Sequence, residues 1–130
     1  MSKLDDGMKV RREVLGDAHV DRSIKNASSF DLGFQEYITE TVWGGIWTRG
    51  GLERSTRHMV TIAILAALGR EHELELHLRS TINTGVTPEQ LTEVFMHVAG
   101  YAGVPAANTA FALAKRILTE QGRLELGDAP

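Results

Sequence analysis

The chain has 130 residues, of which 42% are apolar and 24% charged, and its formal charge is −3. This size and composition predict one domain, residues 1–130, that is large enough to bury its own core. No cysteine is present, which excludes disulfides, thiolate metal sites and thiol redox chemistry. The acidic balance and the dispersed Lys and Arg residues argue against nucleic acid as a partner.

The N-terminus predicts the location of the protein. Its first residues are polar and acidic, whereas a secretory signal needs a basic start followed by an apolar run. No apolar stretch approaches the roughly 20 residues that a membrane-spanning helix needs. We therefore expect a cytoplasmic protein without a membrane partner.

The first half of the chain is predicted to contain two of about six helices in an all-α bundle, because its apolar residues follow a helical period. The first helix covers residues 6–15, and a polar linker is expected from residue 17 to residue 28. Apolar residues then recur at steps of three and four between Ser29, the predicted cap, and the glycines at 44 and 45. This pattern predicts the second helix.

A bend and two further helices follow. Residues 46–52 contain Trp47, Arg49 and two glycines, whose permissive backbone predicts a bend. This bend, with Trp47, could form the wall of a pocket. The third helix, residues 53–68, is apolar nearly all round after Met59, which is typical of a helix in the middle of a bundle. The fourth helix covers residues 71–84.

Local signals predict where the last two helices begin. Thr87 supplies a cap, Pro88 fits the first helical position, and Gln90 can return a hydrogen bond to the cap. These three residues together predict the start of the fifth helix. Pro105 is expected to open the sixth helix, whose many small residues allow close packing.

Ionisable residues share one face of the fourth helix. Arg70, Glu73 and His77 stand at i, i+3 and i+7, so Glu73 can reach the imidazole one turn later. A carboxylate that orients a His is a general acid–base arrangement. The same spacing also fits an ordinary solvated pair on a surface helix. Spacing alone leaves both interpretations open.

No metal site is predicted. His72 and His77 are five residues apart, or about 140° around a helix, whereas two zinc ligands on one helical face lie four residues apart. His58 and His97 could join a metal site only through tertiary contacts. A single His on an apolar helix is more often a hydrogen-bonded core residue than a metal ligand.

Cationic and aromatic residues near the predicted bend are candidates for binding an anionic ligand. Arg49, Arg54 and Arg57 could hold a carboxylate, because a guanidinium group offers paired donors. Exposed Arg residues near helix ends are equally common without a ligand. Trp47 and Tyr101 fit the wall of a pocket, but they fit a core or an interface as well.

Six segments of the chain, in order, resemble the carboxymuconolactone decarboxylase family. They are WTRGGL at 47–52, TRHMVTIA at 56–63, LGR at 68–70, ELELH at 73–77, GVTPE at 85–89 and YAGVPAAN at 101–108. The resemblance covers roughly residues 30–120. It implies an alkyl hydroperoxidase D-like fold and a homo-oligomer, commonly a hexamer built as a trimer of dimers. The second predicted helix, with Phe30, Phe34 and Trp43, is the candidate interface.

One branch of this wider superfamily depends on thiols and carries Cys-x-x-Cys followed by a His four residues later. The corresponding positions here hold Arg70, Glu73 and His77, and the upstream glutamate of that branch is matched by His58. The resemblance therefore implies the decarboxylase branch, with His77 as the functional position that the two branches share.

The resemblance implies a specific reaction, the cofactor-free decarboxylation of 4-carboxymuconolactone to 3-oxoadipate enol-lactone and CO2 in protocatechuate catabolism by the β-ketoadipate pathway. His77, oriented by Glu73, would then supply a proton or a hydrogen bond to the developing enolate. The residues expected to bind substrate are Arg49, His58, Trp47, Arg70 and Tyr101. Two alternatives stay open: a cofactor-free enzyme of the same fold acting on another lactone or enolisable acid, and a non-catalytic ligand-binding oligomer.

Overall fold

The computed structural model describes residues 1–125, and these residues form helices without any β-strand. The elements in chain order are α1 Lys3–Leu15, α2 Asp17–Asn26, α3 Leu32–Ile38, a π-helix Thr39–Trp47, α4 Arg54–Leu68, α5 Glu71–Thr84, α6 Pro88–Ala102 and α7 Val104–Glu120. The predicted all-α class is confirmed. The chain divides into two compact units, Met1–Arg54 and Ser55–Pro130, and none of the described helices is long and apolar enough to cross a membrane.

In the first unit, the backbone of α1 lies directly against the π-helix at two glycines. A Cβ on Gly7 would overlap the carbonyl oxygen of Thr39 and the backbone of Gly44, and a Cβ on Gly44 would overlap the backbone of α1. Helices approach this closely only where neither position carries a side chain. Trp43 and Trp47 are buried beside this contact on the π-helix, and their rings stack with centroids 4.9 Å apart.

The predicted linker at residues 17–28 is wrong, because α2 occupies most of it. Val20 is the buried residue of α2, so the helix has almost none of the apolar repeat on which the prediction relied. Ion pairs hold it instead: Arg12 on α1 contacts Asp17 and Asp21, each at 2.9 Å. A pattern search for apolar periodicity cannot find such a helix.

The predicted second helix begins and ends at other residues. It begins as α3 at Leu32 rather than at Ser29, because the Asp31 carboxylate accepts a hydrogen bond from the Ser28 backbone N–H at 2.7 Å and holds the preceding residues in a turn. It then continues as the π-helix as far as Trp47, and so includes the first two residues of the predicted bend. Trp43 is buried within the chain, which removes it from the predicted interface.

In the second unit, α4 to α7 enclose one apolar core. Its buried residues are Ile62, Ala66, Leu74, Leu78, Val86, Leu91, Phe95, Val98, Ala107, Ala110, Ala114, Ile117 and Leu118. The predicted capping box is confirmed: Thr87 Oγ1 accepts from the Gln90 N–H at 3.1 Å, and Gln90 Oε1 accepts from the Thr87 N–H at 2.9 Å. The capping box thus fixes the start of α6, and the core fixes the inner face of α5.

One face of α4 is exposed, contrary to its predicted place in the middle of a bundle. Val60, Ile64 and Leu68 are 46%, 52% and 62% exposed. Val60 and Ile64 line an open apolar cavity of about 660 Å³ together with α6. The chain therefore buries one apolar face of α4 and leaves the other exposed.

Candidate active site

His58 lies in the second turn of α4 and has no exposed surface. It shares the buried face of α4 with Ile62 and Ala66, at steps of four residues. The helical period therefore turns the imidazole into the core. A buried polar ring is tolerated where its nitrogen atoms have hydrogen-bond partners.

Both ring nitrogens of His58 find partners on α5. Nδ1 lies 2.6 Å from Oγ1 of Thr84, and Nε2 lies 3.0 Å from Nδ1 of His77. The two imidazole rings meet edge to face, with centroids 5.2 Å apart and an interplanar angle of 71°. His77 and Thr84 are two helical turns apart, so α5 presents them on the same face.

Burial makes His58 a neutral residue. Desolvation of the imidazolium is the main cause and charge repulsion from the neighbouring His77 the second; together they lower the pKa of His58 from 6.5 to about 3. A neutral imidazole carries one N–H donor and one lone pair. His58 therefore donates a hydrogen bond at one ring nitrogen and accepts one at the other.

The predicted site residues on and next to α5 differ in their exposure and contacts. His77 is half-buried, and the hydrogen bond described at its Nδ1 goes to His58 rather than to Glu73, which is exposed. Arg70 occupies the cap position before α5 and is also exposed. The role of Glu73 in orienting His77 stays a prediction, whereas the contact with His58 is observed.

The position of His58 bears on its predicted role in substrate binding. His58 has no exposed surface and its Nε2 faces Nδ1 of His77, and its role in binding a substrate carboxylate stays a prediction. The interpretation of His58 as a hydrogen-bonded core histidine agrees with its burial and with its two partners.

Tyr101 lies at the exposed end of α6. It is 86% exposed, and its ring stacks on that of His97 with centroids 5.0 Å apart. Both rings line the apolar cavity of about 660 Å³ beside α4, and the lining of that cavity includes neither His58 nor His77. The role of Tyr101 in binding substrate stays a prediction.

The other two predicted binding residues belong to the first unit. Trp47 is 7% exposed and packs on Trp43, so little of its ring is available to a ligand. Arg49 is exposed in the segment after the π-helix. The neighbouring Arg54, also considered for a carboxylate, forms an ion pair with Glu13 at 2.6 Å.

Sequence reasoning missed Thr84. Its hydroxyl group is the partner of His58, although the two residues are 26 positions apart. The signal that points to it is a polar residue two turns after His77, on the face of α5 that carries His77. That signal gains meaning only once His58 is known to face α5.

The arrangement is suited to proton transfer. One edge of His77 is held by a neutral, buried imidazole, while the ring remains partly accessible. An imidazole ring in such a place can take up and release a proton during a reaction. Among residues 1–125, no three His, Asp or Glu side chains are grouped to hold a metal ion.

Comparison with known proteins gives this site a family. The sequence model of the carboxymuconolactone decarboxylase family matches residues 33–116, a range that includes His58, His77 and Thr84. The chain is 48% identical to 4-carboxymuconolactone decarboxylase from Acinetobacter baylyi over 116 residues, or 89% of this chain and 87% of that protein. It is 37% identical to nitrosuccinic acid decarboxylase from Metarhizium robertsii over 116 residues, which cover 89% of this chain and 81% of that protein. The chain therefore belongs to the carboxymuconolactone decarboxylase family.

Proposed function

We propose that this protein is a carboxy-lyase that converts 4-carboxymuconolactone to 3-oxoadipate enol-lactone and CO2 in protocatechuate catabolism by the β-ketoadipate pathway. The observation that carries the proposal is the 48% identity to the Acinetobacter decarboxylase over nearly the full length of both chains. Family membership also accounts for the all-α, alkyl hydroperoxidase D-like fold. The His58–His77 pair supplies chemistry that this reaction needs.

The reaction needs stabilisation of an oxyanion and delivery of one proton. Loss of CO2 from the saturated ring carbon leaves an electron pair, which spreads through the ring double bond to the lactone carbonyl oxygen. A donor aimed at that oxygen lowers the barrier, because negative charge develops there. The ring carbon next to the carbonyl must then take up a proton. The atoms balance without an oxidant or a reductant.

His77 is the proposed proton donor. Its ring is half-buried and is held at Nδ1 by His58, so the other edge is the one that a substrate can approach. An imidazolium can hydrogen-bond the developing enolate and then deliver its proton to carbon. Water returns the proton to His77 after product leaves. Glu73, one turn earlier on α5, is proposed to help to orient the His77 ring.

The substrate carries two carboxylates, which place different demands on the protein. The departing carboxylate loses its charge in the transition state, so strong binding there would slow the reaction. The acetate arm keeps its charge and can be held throughout. Arg70, exposed at the cap position before α5, is a suitable cation, and Arg49 is the other candidate.

We also propose that the protein is a homo-oligomer, with a hexamer as the expected assembly. Exposed apolar side chains support the proposal, because monomers seldom leave such surfaces to water. Phe30, Phe34 and Tyr37 are 97%, 61% and 63% exposed. A single monomeric mass at micromolar concentration, measured by light scattering after gel filtration, would contradict it. The cytoplasmic location also remains a prediction, and cell fractionation would test it.

The test of the reaction uses freshly generated 4-carboxymuconolactone with chelator present and no added cofactor. Wild-type protein should release CO2 and form the enol-lactone. His77→Ala should lose roughly 10²- to 10⁴-fold in kcat, the usual contribution of general acid–base catalysis. His72→Ala is the matched control, because His72 is an exposed His on the same helix, and it should keep the wild-type rate.

Nitrosuccinate serves as the competing substrate in the same assay, since the Metarhizium relative is named for it. Higher kcat/KM for nitrosuccinate than for 4-carboxymuconolactone would overturn the substrate assignment but keep the reaction class. Wild-type turnover by His77→Ala would overturn the role of His77. No turnover of either compound by a folded oligomer would reject the proposed function.

A further inference from the structure

Three side chains in the second unit form a continuous hydrogen-bonded chain from the core to His77. Thr84 Oγ1 lies 2.6 Å from Nδ1 of His58, and Nε2 of His58 lies 3.0 Å from Nδ1 of His77. His58 has no exposed surface, so it acts on a substrate only through His77. We propose that His58, anchored by Thr84, is a positioning residue that makes Nε2 of His77 the atom that exchanges a proton with substrate. This inference rests on the proposed function.

The direction of the hydrogen bonds follows from the state in which His77 carries its proton. A protonated His77 has an N–H at both nitrogens, so its Nδ1 can only donate. Nε2 of His58 must then accept, which leaves the single proton of this neutral ring on Nδ1. That proton points to Thr84 Oγ1, which must accept it. The hydroxyl hydrogen of Thr84 is left for the backbone carbonyl of Thr81, at 3.5 Å.

The same chain constrains His77 after it has given up the proton. Nδ1 of His77 keeps its hydrogen because His58 Nε2 still accepts from it. The lone pair therefore appears at Nε2, on the edge away from His58. His77 would thus lose and regain its proton at Nε2 and in one ring orientation. Its tautomer would not have to change during the catalytic cycle. Orienting partners of this kind commonly fix the working tautomer of a catalytic His.

A neutral partner also distinguishes this arrangement from a carboxylate-oriented His. A carboxylate at the same place would attract the imidazolium electrostatically and hold the proton on it. His58 supplies orientation without that negative charge. This suits a His whose task is to give its proton to a carbanion rather than to retain it.

Nitrogen-detected NMR of the histidine rings tests the inference without any substrate. In protein labelled with ¹⁵N-histidine, at a pH where His77 is neutral, Nδ1 of His77 should carry the hydrogen and Nε2 should be bare. Nδ1 of His58 should also be protonated and its Nε2 bare. A bare Nδ1 on His77 would overturn the proposal, whatever the activity of the protein, and this separates its failure from that of the proposed function.

Kinetics of paired variants test the consequence for catalysis. His58→Phe keeps an aromatic ring but cannot accept from His77, and it should lower kcat roughly 10²-fold with little change in KM. His58→Gln can accept and donate through its amide group and should recover part of the loss. Equal kcat in His58→Phe and wild type, with the His77 tautomer unchanged, would overturn the proposal.

Thr84 gives a second, milder test in case His58 variants fold poorly. Thr84→Val has the same shape without the acceptor, so His58 loses the anchor for its Nδ1 hydrogen. The expected result is a mixture of His77 tautomers and a fall in kcat of about tenfold or more, whereas Thr84→Ser should restore most of the rate. Thr92→Val, an exposed site on α6, is the matched control. A single Nδ1–H tautomer with undiminished kcat in Thr84→Val would contradict the role of Thr84.

Discussion

Within residues 1–125, each unit buries one basic side chain, and the two side chains differ in their surroundings. In the first unit, Arg11 is 5% exposed and donates to Thr39 Oγ1 and Gln35 Oε1, each at 3.0 Å. In the second unit, His58 is fully buried between Thr84 and His77. Both rely on a threonine hydroxyl, and neither of these described contacts involves a carboxylate.

The difference lies in what each base does with its charge. Burial lowers the pKa of Arg11, with the charge of Arg12 adding to the effect, but a guanidinium starts so high that it stays charged. Burial lowers the pKa of His58 to about 3, so the imidazole discards its proton instead. Burial therefore makes the His58 imidazole a neutral hydrogen-bonding group, whereas Arg11 stays charged. Of these two bases, His58 is the one that can orient another residue without adding charge.

The two clusters also differ in where they lead. The hydrogen bonds of Arg11 stay within the first unit. Its partner Thr39 Oγ1 donates to the backbone carbonyl of Gln35 at 2.7 Å. The hydrogen bonds of His58 lead to His77, which is partly accessible. We propose that the Arg11 cluster stabilises the fold and that the His58 cluster serves the reaction, and variants can separate these two functions.

The largest expected effect is that the lowered pKa of His58 reduces the free energy of unfolding at acid pH. Its folded pKa of about 3 lies below the 6.5 of an unfolded His, so the unfolded state binds the proton first. The contribution is complete above pH 6.5 and is lost as pH falls from 6.5 towards 3. The slope is about 1.4 kcal/mol per pH unit, or roughly 5 kcal/mol in all.

Denaturant unfolding at fixed protein concentration, repeated from pH 7 to pH 4, measures this slope. The wild type should lose stability faster than His58→Phe, which has no such proton to bind. Because Nδ1 of His77 lies 3.0 Å from Nε2 of His58, His77→Phe is the control for the influence of His77 on the slope. Parallel pH dependences in wild type and His58→Phe would show that His58 is not kept neutral by burial.

The next effect on stability comes from the buried aliphatic part of the Arg11 side chain rather than from its charge. Arg11→Ala removes a long buried side chain and should lower the free energy of unfolding by about 3 kcal/mol, as for other large-to-small changes. Arg11→Met keeps most of the volume and removes a desolvated charge, so it should cost less than about 1 kcal/mol. Neither variant should change kcat. Equal losses in the two variants would instead assign the stabilisation to the guanidinium hydrogen bonds.

The fold was predictable wherever a local signal sufficed. The 3.6-residue period gave the all-α class, and the pattern of Thr87 and Gln90 gave the start of α6. The period failed for α2, whose buried residue is Val20, and ion pairs to Arg12 hold that helix. The π-helix could not be predicted either, because it accompanies a close contact between Gly7 and Gly44 that no local sequence pattern encodes.

The site was predictable to the same extent. Helical spacing singled out His77, and the one-turn rule favoured Glu73 as its partner because only neighbours along α5 are visible in the sequence. The observed partner, His58, stands 19 residues earlier and reaches His77 through the packing of α4 on α5. Thr84 was missed for the same reason. A residue that positions another through the core can be recognised only when the core is known.

The two threonines offer the finest test of the comparison, with the smallest expected effect on stability. Thr39→Val and Thr84→Val each remove one hydroxyl acceptor from a buried base and should each cost about 1–2 kcal/mol of unfolding free energy. Their effects on activity should differ, because the Thr39 cluster closes within the first unit while the Thr84 cluster ends at His77. Measured together, the pair should show equal destabilisation but a fall in kcat for Thr84→Val alone. Equal falls in kcat would mean that stability, and not the orientation of His77, limits the reaction in both variants.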